Sequence, residues 1–273
     1  MIIEWNNHLF SADEERYPLH PDWEGKWPYE PNFPEGHPLD AYMAHMDREG
    51  IDCAVLVQPG PYWEDHSLIL DCLEREPKRF RGACLFRPEL EDGPDRMAEL
   101  VEQQPLFISV RFHMGGGKDL GPDSSVEPGF QALWARAAEL GLIVELHIHS
   151  TFAFPIANML RAYPETVAII DHLAEAGFPG TGTPVEFANL LDLAAFENLY
   201  MKISGLNHFA DDEPHYLSTR PFTRRVIAEF GPDQLVWGSG VPGIVDAHMP
   251  EYSEEDRAKV KGGNLQKLLK FEP

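Results

Sequence analysis

The strongest constraint on this chain is a rhythm. Short apolar runs recur at residues 2–9, 53–58, 82–86, 107–112, 142–149, 167–172, 199–204 and 235–239, rich in Val, Ile, Leu and Phe and bounded by Gly, Pro or polar residues. Runs of that length and composition read as buried strands. Stretches with helical spacing lie between them. Asp40 can cap a helix carrying Tyr42, Met43 and Met46 that stops at Gly50, and Pro94 suits the first turn of a helix bearing Met97, Leu100 and Val101. Phe130, Leu133, Trp134, Ala137 and Leu140 share a helix face before Gly141, and Pro221 opens a helix closed by Gly231 and Pro232. Strands alternating with helices predict a parallel sheet with helices outside it. Eight such units in 273 residues predict an α/β fold, a (β/α)₈ TIM-like barrel, as one domain spanning 1–273.

Composition narrows the partners. Lys plus Arg number 22 and Asp plus Glu 45, for a net charge of −23. Such a surface repels nucleic-acid phosphates and anionic lipid headgroups, so neither nucleic acid nor membrane is an expected partner. The expected partner is a small molecule, with self-association into a homo-oligomer left open. No apolar run reaches the roughly 18 residues of a membrane span, and the N-terminus has no signal-peptide pattern. Cys53, Cys72 and Cys84 are too few and too scattered for a disulfide framework, which points to the cytoplasm.

One segment breaks the rhythm. Residues 17–38 hold Pro18, Pro21, Pro28, Pro31, Pro34 and Pro38 together with Trp23, Trp27, Tyr29 and Phe33. This composition forbids a helix and disfavours a strand. It reads either as a rigid aromatic lid after strand one or as a proline-stiffened surface loop.

Strand parity places polar residues on shared faces. Glu4, Asn6 and His8 fall on one side of the first strand, Ser109, Arg111 and His113 on one side of the fourth, and Glu145, His147 and His149 on one side of the fifth. A parallel sheet is usually apolar on both sides, whereas strand C-termini at a barrel mouth line the active site. His8, His147 and His172 all fall at such ends.

In this order the motifs resemble the amidohydrolase-related family of metal-dependent hydrolases, in its branch of 2-pyrone-4,6-dicarboxylate and sugar-acid lactonases. Residues 2–8 sit where that family has Asp-x-His-x-His. Arg16-Tyr17-Pro18-Leu19 is similar to its aromatic-proline segment, and Tyr62-Trp63-Glu64-Asp65-His66-Ser67 to the loop after its second strand. Val110-Arg111-Phe112 resembles a substrate-binding arginine strand, Ile169-Ile170-Asp171-His172 the strand-six histidine motif, residues 201–205 strand seven, and Gly263-Asn264-Leu265 the closing Gly-Asn-Ala. The resemblance implies a (β/α)₈ hydrolase of a lactone, ester or similar bond in a small carboxylated molecule. Alternatives are a decarboxylase or other C–C lyase of the same family, and a degenerate barrel that only binds a ligand.

Two departures bear on the metal that the family often carries. Asn6 replaces a histidine, and Gly240 in Trp237-Gly238-Ser239-Gly240 replaces an aspartate. A carboxamide is a poor zinc ligand and glycine supplies none. The expectation is therefore no tightly bound cofactor; a divalent zinc or manganese, if held, would fall to His8, His147 and His172. Catalytic candidates are His172, His147, Glu145 and Asp246, the last on a loop over residues 241–247 with His248 nearby. Substrate-binding candidates are His8, Asn6, Arg111, His113, Lys202, Tyr62, Trp63 and His66. Arg111 and Lys202 fit an anionic substrate; the alternative for Arg111 is a buried ion pair with Glu145 or Glu4.

Overall fold

A computed structural model of the chain describes residues 1–23, 36–113, 128–176, 182–269 and 271. Eight parallel strands pair in sequence order in one sheet: β1 (Ile3–Asn7), β2 (Cys53–Val57), β3 (Phe80–Leu85), β4 (Phe107–His113), β5 (Ile143–His147), β6 (Ala168–Ile170), β7 (Leu199–Ile203) and β8 (Leu235–Trp237). Between them lie α1 (Pro38–Glu49), α2 (Ser67–Arg75), α3 (Gly93–Gln103), α4 (Pro128–Leu140), α5 (Ala153–Ala162), α6 (Pro184–Leu191) and α7 (Arg220–Phe230). Next come α8 (Gly243–His248), α9 (Glu254–Ala258) and α10 (Asn264–Leu269). This is the predicted (β/α)₈ barrel. Most of the Pro- and aromatic-rich segment, residues 24–35, lies outside the described residues.

Local chemistry accounts for the helix ends with one correction. The cap of α1 is His37, whose Nδ1 accepts from the Leu39 amide at 3.2 Å; Asp40 sits inside the first turn. Gly50 and Gly141 end their helices in the left-handed conformation, with φ of 70° and 69°, where glycine avoids the Cβ clash.

The sheet separates two apolar layers. Outward side chains such as Ala54, Leu56, Val110, Phe112, Val144, Leu146, Ile170, Met201 and Trp237 pack with the helices. Inward Ile3, Trp5, Val55, Val57, Ile143, Ile169 and Val236 form a plug, which Leu265 and Leu269 of α10 and Phe271 join. This inner plug leaves the C-terminal strand ends for polar groups.

Parity fails in the first strand, and the register explains why. Trp5 pairs with Val55, but it is Asn7 that pairs with Leu56, so Asn6 is a bulged residue. A bulge shifts the alternation by one. Glu4 therefore faces outward, where its carboxylate accepts from the Tyr42 hydroxyl at 2.6 Å. His8, beyond the bulge, turns inward and approaches the Val57 carbonyl at 2.9 Å. The shared face expected for Glu4, Asn6 and His8 does not exist.

The barrel draws together where β8 meets β1. A Cβ on Gly238 would fall 1.9 Å from the Trp5 carbonyl oxygen, so only glycine allows the two backbones to approach. Gly238→Ala should destabilise the protein by at least about 3 kcal/mol, read as a drop in the urea or thermal midpoint. A wild-type midpoint would mean that this closure is loose.

Candidate functional site

Charges from four neighbouring strands meet above the inner plug. Arg111 on β4 donates from Nε to Asp171 Oδ2 at 2.9 Å, with its Nη2 also 2.9 Å from that oxygen. Lys202 on β7 places Nζ 2.6 Å from Glu145 Oε1 and 2.6 Å from Asp171 Oδ1. The Trp5 indole N–H donates to the other Glu145 oxygen at 3.0 Å. The side chains of Glu145, Asp171 and Lys202 are fully buried and that of Arg111 is 5% exposed. Burial alone would raise the Asp171 pKa, but the Lys202 and Arg111 charges hold it well below the usual range. Burial and the neighbouring Asp171 charge push Glu145 upward.

Histidines lie over this layer. The rings of His113 and His147, partners in the β4–β5 register, sit edge to face at 4.2 Å; His147 and His172 follow at 4.8 Å, and His172 and His208 at 5.2 Å. His147 uses both nitrogens. Its Nδ1 accepts from Arg111 Nη2 at 3.3 Å, which leaves Nε2–H to donate to Glu175 at 3.2 Å. The other Glu175 oxygen takes His149 Nε2 at 2.9 Å. Burial would raise Glu175, yet these two histidine contacts hold it far below the carboxylate range. His172 Nδ1 is held by the Ser204 hydroxyl at 2.8 Å.

The backbone at the end of β6 makes this possible. His172, Leu173, Ala174 and Glu175 have φ of 51°, 56°, 53° and 50°, a turn of left-handed helix built from non-glycine residues. Each costs about 1–2 kcal/mol relative to right-handed backbone. The turn brings both His172 and Glu175 against His147, which extended strand parity could not do. Gly205, at φ 63°, makes room, since a Cβ there would lie 2.5 Å from His172 Nδ1.

Burial first, and then positive neighbours, depress the imidazoles. His8 falls to about 3 under burial and the Arg111 charge, His147 to about 3 under burial and the His113 charge, and His172 well below its ordinary value. These rings are neutral near pH 7.

The structure thus brings together His8, Arg111, His113, Glu145, His147, His172 and Lys202 from the sequence-based set. It puts Arg111 in the buried ion pair weighed against substrate binding, chiefly with Asp171 and more distantly with Glu145 at 3.7 Å. Others stand apart. Asp246 pairs with Lys261 at 2.6 Å and Arg257 at 3.1 Å, in a cavity shared with Met1 and Ile2 at the opposite end of the barrel. Residues 243–248 form α8 rather than a swinging loop, and His248 is buried against Thr223 and the His215 carbonyl. His66 accepts from the Leu85 amide among Phe86 and Phe107, and the Tyr62 hydroxyl accepts from the Ser11 amide. Trp63 stacks on His20 and underlies Arg87. Sequence reading passed over Asp171, Glu175, Ser204 and His208. Asp171 shares strand parity with the inward Ile169, a signal that could have found it; the other three depend on the left-handed turn and on loop paths.

These residues do not fit a divalent metal. Both inward carboxylates already hold Lys202, Asp171 holds Arg111 as well, and His147 has no nitrogen to offer. A dication there would meet two fixed positive charges. Among the described residues no group of three or more His, Cys, Asp or Glu is arranged to hold an ion. The strand-eight end is shaped for glycine: Gly240 has φ 84°, and a Cβ would press on Ile244 at 2.7 Å.

Residues 3–271 match the family model described as amidohydrolase. The chain is 27% identical over 248 residues to a 4-sulfomuconolactone hydrolase of Rhizobium radiobacter, covering 89% of this chain and 77% of that protein. It is 28% identical over 243 residues to an L-fucono-1,5-lactonase of Burkholderia ambifaria, covering 80% of each. A solved structure from Pseudomonas putida, named for 2-pyrone-4,6-dicarboxylic acid hydrolase, superposes with a TM-score of 0.77 at 24% identity over 100% of this chain and 98% of that one. A Burkholderia multivorans amidohydrolase with bound zinc gives 0.74 at 16% identity over 99% of both. These two likenesses are of fold.

Two outcomes follow from the buried charges. Arg111→Met strands Asp171 with one cation and should cost roughly 3–5 kcal/mol of stability; an unchanged melting temperature would return Arg111 to substrate binding. Acid should also weaken the fold. Between pH 6.5 and the folded values of about 3 for His8 and His147 and about 4 for His66, only the unfolded chain takes up these protons. Stability present above pH 6.5 is then lost as the pH falls, by on the order of 1.4 kcal/mol per pH unit for each histidine. Glu4, raised to about 7 by burial, opposes this with one proton, adding stability below 4.5 that is lost as the pH rises to 7. Melting curves from about pH 8 to about pH 5 check the sign, since the histidines outnumber Glu4.

Proposed function

The chain belongs to the amidohydrolase family, and from that premise we propose that it hydrolyses a lactone or closely related ester in a small, carboxylate-bearing molecule. The carrying observation is His172: with Nδ1–H donating to the Ser204 hydroxyl oxygen at 2.8 Å, Nε2 carries the lone pair of the neutral ring and can take a proton at the barrel mouth. Two relatives named for lactone hydrolysis support the reaction class.

His172 is neutral near pH 7 and so is present in its base form. Its depressed pKa makes it a weak base in the ligand-free protein, but a negative substrate beside the ring raises that pKa toward the working pH. Water then adds to the ring carbonyl as Nε2 takes its proton. The carbon–oxygen bond of the ring breaks, and the same proton passes to the leaving oxygen. His147, locked between Arg111 and Glu175, orients the row rather than acting as base. His8, His113, His208 and Asn6 are the groups proposed to meet substrate; the buried Asn6 Oδ1 has no hydrogen-bond partner among the described residues. Glu145 and Lys202 support these groups from below.

The strongly negative surface favours a small partner over nucleic acid. No described helix is long and apolar enough to cross a membrane. Cys53, Cys72 and Cys84 are buried free thiols, which supports a cytoplasmic setting.

A pH-stat assay over aromatic-derived and sugar lactones tests the reading. We expect turnover of at least one carboxylated lactone, and His172→Ala should lower kcat by on the order of 10²-fold or more with little change in melting temperature. Folded protein that is inert across the panel, or that releases carbon dioxide from carboxylated substrates, overturns the proposal. An unchanged kcat in His172→Ala reassigns that residue to structure.

A further inference from the structure

We infer that Lys202 is the resident cation of this barrel, its ammonium standing between the carboxylates of β5 and β6 where a divalent ion would otherwise bridge them. The Nζ lies 2.6 Å from Glu145 Oε1 and 2.6 Å from Asp171 Oδ1, and 5.2 Å from the centre of the Trp5 ring. The side chain is fully buried, so this charge never reaches solvent. Two carboxylates on adjacent strands converging on one point is an arrangement suited to a hard dication. Here an ammonium, a compact point charge with three donors, fills that point from β7, and Arg111 balances the remaining negative charge from β4.

A covalently tethered cation cannot dissociate. The carboxylates stay paired whatever metal surrounds the protein, and Asp171 keeps its grip on Arg111, which in turn holds His147 Nδ1. Lys202 is in this sense a positioning residue. Removing its side chain leaves two carboxylates facing one guanidinium around a newly opened space. That combination should accept a hard dication, whereas the wild type should not. The inference stands apart from which ester is hydrolysed, because its readout is cation uptake.

Mn²⁺ is the probe, with free aquo ion followed by electron paramagnetic resonance and stability by thermal melting. Wild-type protein should take up no stoichiometric Mn²⁺ and melt unchanged in its presence. Lys202→Ala should take up one equivalent, on the order of tenfold or more tighter than any wild-type binding, and its melting temperature should climb with Mn²⁺ concentration. Adding Glu145→Gln to Lys202→Ala should abolish the uptake. Stoichiometric, chelator-sensitive Mn²⁺ in the wild type would overturn the inference, as would a folded Lys202→Ala that binds no better than wild type. So would uptake that survives Glu145→Gln. If Lys202→Ala fails to fold without added ion, recovery of soluble protein only with Mn²⁺ supports the inference, and failure with and without it overturns it.

Discussion

A buried square of charge, Arg111 with Asp171 and Lys202 with Glu145 and Asp171, organises the upper half of this barrel. Taking an ion from water into a protein interior costs several kcal/mol, and well-packed apolar residues of similar volume often stabilise as much as a buried pair does. Stability alone is therefore a weak reason for such a network. What it supplies is position. Each pair ties the end of one strand to the end of another, and the 2.6–2.9 Å contacts leave each head group one arrangement. The guanidinium fixes the tautomer of His147, the imidazole fixes Glu175, and Glu175 fixes His149 in turn. A chain of linked contacts runs from the apolar plug to the mouth.

The same network separates this chain from a metal-centred one with a similar fold. A bound dication polarises water by its own charge and can be removed. Two tethered cations are already matched by two carboxylates, which is why the proposed reaction assigns proton transfer to an imidazole. His147 and His172, which burial holds neutral, fit that division of labour. Among the described residues, the Glu175 carboxylate beside these rings is already engaged by His147 and His149.

How much of this was legible in the sequence depends on whether the signal is local. The strand–helix rhythm is local, and all eight strands fall within a few residues of where the apolar runs put them. Lys202 is also readable, because its neighbours Met201 and Ile203 are outward residues and parity turns it in. Glu4 was misplaced because a bulge at Asn6 reverses parity, and nothing in Ile-Glu-Trp-Asn-Asn announces an extra residue. The pairing of Arg111 is not legible because its partner lies 60 residues away, just past the end of β6. Asp246 is a plausible site residue only on a loop; as part of α8, its carboxylate points at Lys261 and Arg257 on the far side of the molecule.

The left-handed turn after β6 shows why the site had to be seen rather than read. Its four residues carry a backbone cost of roughly 4–8 kcal/mol at about 1–2 kcal/mol each, and strain of this kind persists only where surrounding structure over-determines it. Here the determinants are visible. Leu173 and Ala174 are buried in the helix-packing core, and a fully buried Leu returns about 1.5–3 kcal/mol. Asp171 is anchored by two cations before the turn begins, and Glu175 is anchored by two histidines where it ends. The Ser204 hydroxyl receives the His172 amide at 3.2 Å as well as contacting the ring, so backbone and side chain are fixed by one group. Relaxing the turn to right-handed backbone would have to break these anchors together. The strain is thus held by the very charges that line the site, and His172 is in place before any substrate arrives.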